Sequence, residues 1–189
     1  MKIPLFPLAT VLFPGSVIQL RIFETRYIDM VGDCMRENAQ FGIVPIDSGN
    51  ETTPTSSFFP VGVLAKIIDW DRSADGLLQI TASGTEKFTV ESYSIENNGL
   101  VIGEVEVGNE DNGIELAAQN VSQTIEEKFR DLLPLLTSVR QENLNSVELI
   151  YKLADFLSLP YSARVKILMS ENLNEMLELV HNFVLPKNT

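Results

Sequence analysis

The spacing of apolar residues changes period once, near residue 110, and that change limits the chain to an α+β fold with its strands first. Before it, Leu78, Ile80 and Ala82 alternate with Gln79 and Thr81, and Phe88 and Val90 alternate with Lys87, Thr89 and Glu91. Val101, Val105 and Val107 are likewise interleaved with Ile102, Glu104 and Glu106. A period of two is that of a strand with one buried face. The turn sequences Ser73-Ala74-Asp75-Gly76 and Asn97-Asn98-Gly99 separate these runs. Residues 61–68 are largely apolar and read as a strand buried on both faces, ending near Trp70. Short strands joined by tight turns predict an antiparallel meander closed into a barrel or sandwich. One helix interrupts it over residues 24–38, where Tyr27, Met30, Val31, Cys34 and Met35 form a single apolar stripe. Residues 41–46 read as the next strand, and residues 47–57 as a polar surface loop.

Beyond a linker at residues 108–113 the period becomes 3.6. Ile114, Ala117, Ala118, Val121, Ile125, Phe129, Leu132, Leu133 and Leu136 trace a long helix that Pro134 kinks or ends. Val147, Ile150, Tyr151, Ala154 and Leu157 trace a second, closed by Leu159-Pro160, and a third covers residues 162–169. Asn172-Leu173-Asn174-Glu175 reads as a capping box opening a fourth, with Met176, Leu177, Val180, Phe183 and Val184 inward.

Residues 3–20 carry no charge, a length close to a membrane span. Pro4, Pro7 and Pro14 oppose a helix there, since each removes a backbone hydrogen bond and clashes with the preceding turn. They also break the apolar centre a signal peptide needs. A cytoplasmic protein with no membrane partner is the expectation. Apolar residues at 44% and charged ones at 21% fit a folded chain and exclude wholesale disorder. The net charge is −12, and residues 1–113 alone hold 7 basic and 16 acidic side chains. Such a surface repels phosphate backbones, so nucleic acid is not an expected partner.

No catalytic constellation stands out. One cysteine (Cys34) and one histidine (His181) rule out a multi-His, multi-Cys metal site, and both sit on or beside apolar helical stripes. No lysine follows a glycine, so there is no P-loop. Asp69 and Asp71 would share one face of a strand about 6–7 Å apart, near the spacing of glycosidase carboxylates. Their ordinary reading is a solvated strand end. No catalytic residue, cofactor or metal is expected.

What remains is the opening segment. Ile3-Pro4-Leu5-Phe6-Pro7-Leu8 and Val11-Leu12-Phe13-Pro14-Gly15 are dense in apolar side chains and in prolines that confine a strand to an edge or bulge. Either these residues are core, or they form an apolar rim that accepts an extended peptide by strand addition. Leu5, Phe6 and Phe13, with Phe58 and Phe59 beyond the polar loop, are the candidate peptide-binding residues.

These segments, followed by Leu20-Arg21-Ile22-Phe23-Glu24-Thr25-Arg26-Tyr27, resemble the opening of the Lon protease N-terminal (substrate-binding) domain. Phe41-Gly42-Ile43-Val44, Val61-Gly62-Val63-Leu64-Ala65-Lys66-Ile67, the Asp75-Gly76 hairpin and Ser83-Gly84 follow in the same order. The resemblance implies a PUA-like β-barrel with one helix, residues 1–109, and a C-terminal helical bundle, residues 114–189. It also implies a role in recognising unfolded or extended polypeptides, with a protease or chaperone as a working partner. The ATPase P-loop and the Ser-Lys proteolytic dyad of a full Lon protease are lacking, so the expected function is non-enzymatic substrate binding. The alternatives are an RNA-binding PUA-like module and a hydrolase using Asp69 and Asp71. In Arg21, Glu24 and Arg26 the expected role is structural, fixing the turn into the helix.

Overall fold

The computed structural model describes residues 1–49, 51, 57–108 and 145–184. The chain divides into two compact units, Met1–Gly108 and Asn109–Thr189. The long helix expected over residues 114–136 lies outside the described residues.

The first unit holds β1 (Lys2–Leu8), β2 (Val17–Ile22), α1 (Thr25–Glu37), β3 (Phe41–Ser48), β4 (Ser57–Phe58), β5 (Val61–Arg72), β6 (Leu78–Ile95) and β7 (Val101–Val107). All seven strands belong to one sheet, ordered β1-β7-β6-β5-β3-β4, with β2 beside β6. One pairing returns the path to its start. β1 runs antiparallel to β7 from Lys2 to Leu5, then parallel to β3 from Leu5 to Leu8. Every other pairing is antiparallel.

This change of partner explains the prolines. Pro4 lies in the half of β1 that pairs only with β7, and Pro7 in the half that pairs only with β3. Each half keeps one unpaired edge, where a missing N–H costs nothing. The interior of the circuit is filled by Ile3, Leu5, Val44, Leu64, Phe88, Val101 and Val105. Both-face burial in β5 is confined to residues 62–65, since Lys66 and Ile68 are exposed and the strand continues to Arg72. The two short runs expected over residues 78–82 and 88–90 are one strand of 18 residues. Bulges where β5 pairs with it and near Glu91 bend it enough to serve both β5 and β7.

In α1 the stripe Tyr27, Met30, Val31 and Cys34 is buried, as its spacing requires, whereas Met35 is 40% exposed. The helix ends on Asn38 in the left-handed region. In the second unit, α2 (Ser146–Phe156), α3 (Tyr161–Met169) and α4 (Leu173–Val184) follow the expected spans within a residue or two. Asn145 and Glu148 form the complete capping box, each side chain satisfying the other's backbone. At the expected box only half is present. Asn172 accepts from the N–H groups of Asn174 and Glu175, while the Glu175 carboxylate accepts from the Ser170 hydroxyl instead. Met176, Leu177 and Val180 point inward, but Phe183 is 47% exposed.

Two glycines give opposite expectations. A Cβ on Gly62 would lie 2.5 Å from the Ile43 carbonyl oxygen and 2.5 Å from Phe88 Cζ, so Gly62→Ala should cost about 1–3 kcal/mol. Gly32, mid-helix in α1, has nothing within 4 Å, so Gly32→Ala should gain about 0.5–1 kcal/mol. Urea unfolding of the two variants checks both signs.

Candidate functional site

Of the five apolar residues singled out in the sequence, three lie inside. Leu5 and Phe13 have no exposed surface and Phe6 very little. Leu5 and Phe13 therefore lie in the core, one of the two readings that the sequence leaves open for this segment. For Leu5 the reason is that β1 is flanked by β7 and β3 and turns Ile3 and Leu5 into the closed circuit. Phe58 and Phe59 are half-buried. The Phe58 ring leans on Tyr93 at 5.0 Å, and the Phe59 N–H donates to the Pro45 carbonyl at 2.9 Å.

Of these five residues, Phe6 alone borders a cleft beside β2. The cleft, of about 510 Å³, is lined by Phe6, Leu8, Ile18, Leu20, Phe23 and Tyr27, among others, with Glu24 and Glu51 also on its wall. All five residues 18–22 of β2 border it, yet no residue of β6 does. It therefore follows the side of β2 away from β6. The signal for β2 in the sequence is the alternation Ile18, Leu20, Ile22 against Gln19 and Arg21, which the neighbouring prolines and the helix start obscure. Phe23, just past the strand, is 58% exposed.

A buried arginine fixes one end of the cleft. Arg26, on the first turn of α1, pairs with the Glu24 carboxylate at 2.8 Å. It donates through Nη1 to the Gly99 carbonyl at 2.8 Å and through Nη2 to the Glu51 carbonyl at 3.4 Å. Its guanidinium stands 4.6 Å from the centre of the Tyr27 ring, which in turn stacks on Phe6 at 3.8 Å. The Glu51 carboxylate accepts from the Ala9 N–H at 2.8 Å. The charged cluster thus joins the turn, the helix start and the β6–β7 hairpin, as its structural reading requires. Glu24 does so by ion pairing, for its side chain makes no cap bond to the helix. Arg21 acts elsewhere, pairing with Asp75 at the β5–β6 turn. Asp75 is held below the usual carboxylate range, first by the Ser73 hydroxyl and also by Arg21.

Burial pushes the Tyr27 phenol up to about 12, against the pull of Arg26. Burial, then Asp33 and Glu37, push the Cys34 thiol up to about 11, which suits an inert packed side chain. Asp69 and Asp71 are exposed, and each accepts a hydrogen bond from the next residue's N–H, at 2.9 and 2.7 Å. Among the described residues no group of three or more His, Cys, Asp or Glu side chains could hold a metal ion, and no helix is long and apolar enough to cross a membrane.

Sheet topology and helices together define an α+β protein of one known fold. It is shared with the crystal structure of a Lon N-terminal domain protein from Xanthomonas campestris, at a TM-score of 0.73 and 30% identity over 98% of this chain and 99% of that one. The N-terminal domain of a Lon protease from the Mycobacterium avium complex has the same fold, with a TM-score of 0.66 at 17% identity over 97% of each chain. Residues 2–185 match the model of the ATP-dependent protease La (LON) substrate-binding domain, and the chain belongs to that family. It is 28% identical over 141 residues to Lon protease 1 of Hydrogenovibrio crunogenus and 29% identical over 189 residues to Lon protease 2 of Syntrophobacter fumaroxidans. Those matches cover 74% and 95% of this chain, but only 17% and 24% of the two proteases.

Tyr27 makes stability depend on high pH. Its folded pKa lies above the ordinary 10, so its contribution is complete below pH 10 and is lost as pH rises towards 12. The loss amounts to about 2–3 kcal/mol. In Tyr27→Phe, the fall in urea midpoint between pH 10 and 12 should be correspondingly shallower than in the parent protein.

Proposed function

We propose that this chain is a non-enzymatic polypeptide-binding module, built as a PUA-like β-barrel over residues 1–109 and a helical bundle over residues 114–189. The closed circuit through the β1–β3 pairing supports a barrel, and the buried stripes of α2, α3 and α4 support a bundle. The observation that carries the function is the cleft beside β2, apolar on its floor and flanked by carboxylates. A groove of that kind buries the side chains of an unfolded segment, at about 25 cal/mol per Å² of apolar area removed from water. Phe6 lines it and stacks on Tyr27, and Phe58 and Phe59 belong to a second half-exposed patch with Tyr93. Leu5 and Phe13 contribute through the core.

A non-enzymatic role fits a cysteine made unreactive by burial and carboxylates turned back on their own backbone. Residues 1–108 hold 7 basic and 14 acidic side chains, a charge that favours neutral or basic polypeptides over RNA. Polypeptide clients and a protease or chaperone partner in the cytoplasm complete the reading.

Binding of a reduced, carboxymethylated model protein, followed by fluorescence anisotropy, tests it. Phe23→Ser removes an exposed ring and should leave stability within about 0.5 kcal/mol, yet weaken the complex about five- to tenfold. An unchanged affinity would move the client away from this cleft. Failure to bind any unfolded client, with tight RNA binding that fades steeply as salt rises, would instead favour the nucleic-acid reading.

A further inference from the structure

We infer that β2 is a docking edge, and that an unfolded polypeptide binds by adding a strand to it, main chain to main chain. This rests on the polypeptide-binding reading and specifies the chemical class of its ligand: an extended segment of several residues with free backbone amides.

The geometry of the edge carries the inference. β2 pairs with β6 from Val17–Ser83 to Ile22–Leu78, and among the described residues no strand lies on its other side. One step before Val17, the Gly84 N–H donates to the Ser16 carbonyl at 2.9 Å. Hydrogen-bonded positions alternate along an antiparallel pair. Ile18, Leu20 and Ile22 therefore bond to β6, and the N–H and C=O groups of Val17, Gln19 and Arg21 point the other way. All three residues are exposed. Their outward groups span about 13 Å, the length of a five-residue strand.

The cleft supplies the rest. It borders all five residues 18–22 and no residue of β6, so it runs alongside the open edge. A strand seated there would place alternate side chains against Phe6, Leu8 and Phe23 and leave the others in water. Affinity would come from backbone bonds and apolar contact, with little demand on sequence, as a receptor for unrelated unfolded chains requires. A second copy is the other candidate for an open edge. Antiparallel β2–β2 pairing would press together two chains of net charge −12, which favours a neutral or basic client instead.

The probe is an eight-residue peptide of alternating Val and Thr with Lys at each end, compared with the same peptide N-methylated at its central amides. Gln19→Pro removes one outward N–H and no bond to β6. The parent protein should bind the methylated peptide at least tenfold more weakly than the plain one, and Gln19→Pro should bind the plain one about tenfold more weakly than the parent protein does. If Gln19→Pro unfolds, the two peptides on the parent protein decide the question alone. Equal affinity for the two peptides, with Phe23→Ser still weakening the carboxymethylated client, overturns strand addition and leaves the cleft reading intact. Loss of binding to every unfolded probe ends both. A concentration-dependent dimer abolished by Gln19→Pro would assign the edge to a second copy and overturn the client proposal.

Discussion

The double pairing of β1 is the constraint on which the first unit depends. Seven residues leave one partner and join another at Leu5, antiparallel to β7 before it and parallel to β3 after it. Without the parallel half the sheet would stay open between β1 and β3, two of the strands that enclose Leu5, Val44 and Phe88. Closure gives β1 a neighbour along its whole length and joins the two ends of the circuit, and open ends are where a sheet is most exposed to unwanted pairing. The prolines are part of the same solution. They lock φ in a segment that must bend between partners, and each occupies a half-strand with one side free.

Closure leaves two strands outside, the two-residue β4 beside β3 and the longer β2 beside β6. β6 runs far longer than β7 can cover, and its first half, paired with β5, extends away from the circuit as a ribbon. β2 attaches to that ribbon through β6 alone. Its outer side then faces β1 and the start of α1 across a gap instead of another strand. The cleft is thus a consequence of strand lengths: a long β6, a short β7, and a β2 with a single neighbour.

Arg26 sets the end of that gap. A guanidinium so deeply buried is tolerated because a carboxylate, two carbonyls and an aromatic face surround it. One of its atoms, Nε, is buried with no hydrogen-bond partner. The cluster holds the helix start, the β6–β7 turn and Glu51 in one arrangement, and so keeps Tyr27 and Phe6 in position as the cleft floor. Rigid support under an adaptable apolar surface lowers the ordering cost of binding.

Much of this was legible in the residues. The change of apolar period, the α1 stripe, the hairpin turns and the three described C-terminal helices follow from spacing and turn chemistry, because those signals are local. The extent of β6 and the identity of β2 were obscured, since bulges break the alternation and prolines crowd the strand's approach. Leu5 and Phe13 show the limit most plainly. Their sequence context, apolar and rich in proline, suits a rim as well as a core; both are buried, Leu5 because β7 and β3, distant in the chain, flank it. The sequence by itself determined which residues are apolar, where the chain turns and that the whole is acidic. The tertiary structure decided which edge stays open, because edge exposure is a property of neighbours far apart in the chain.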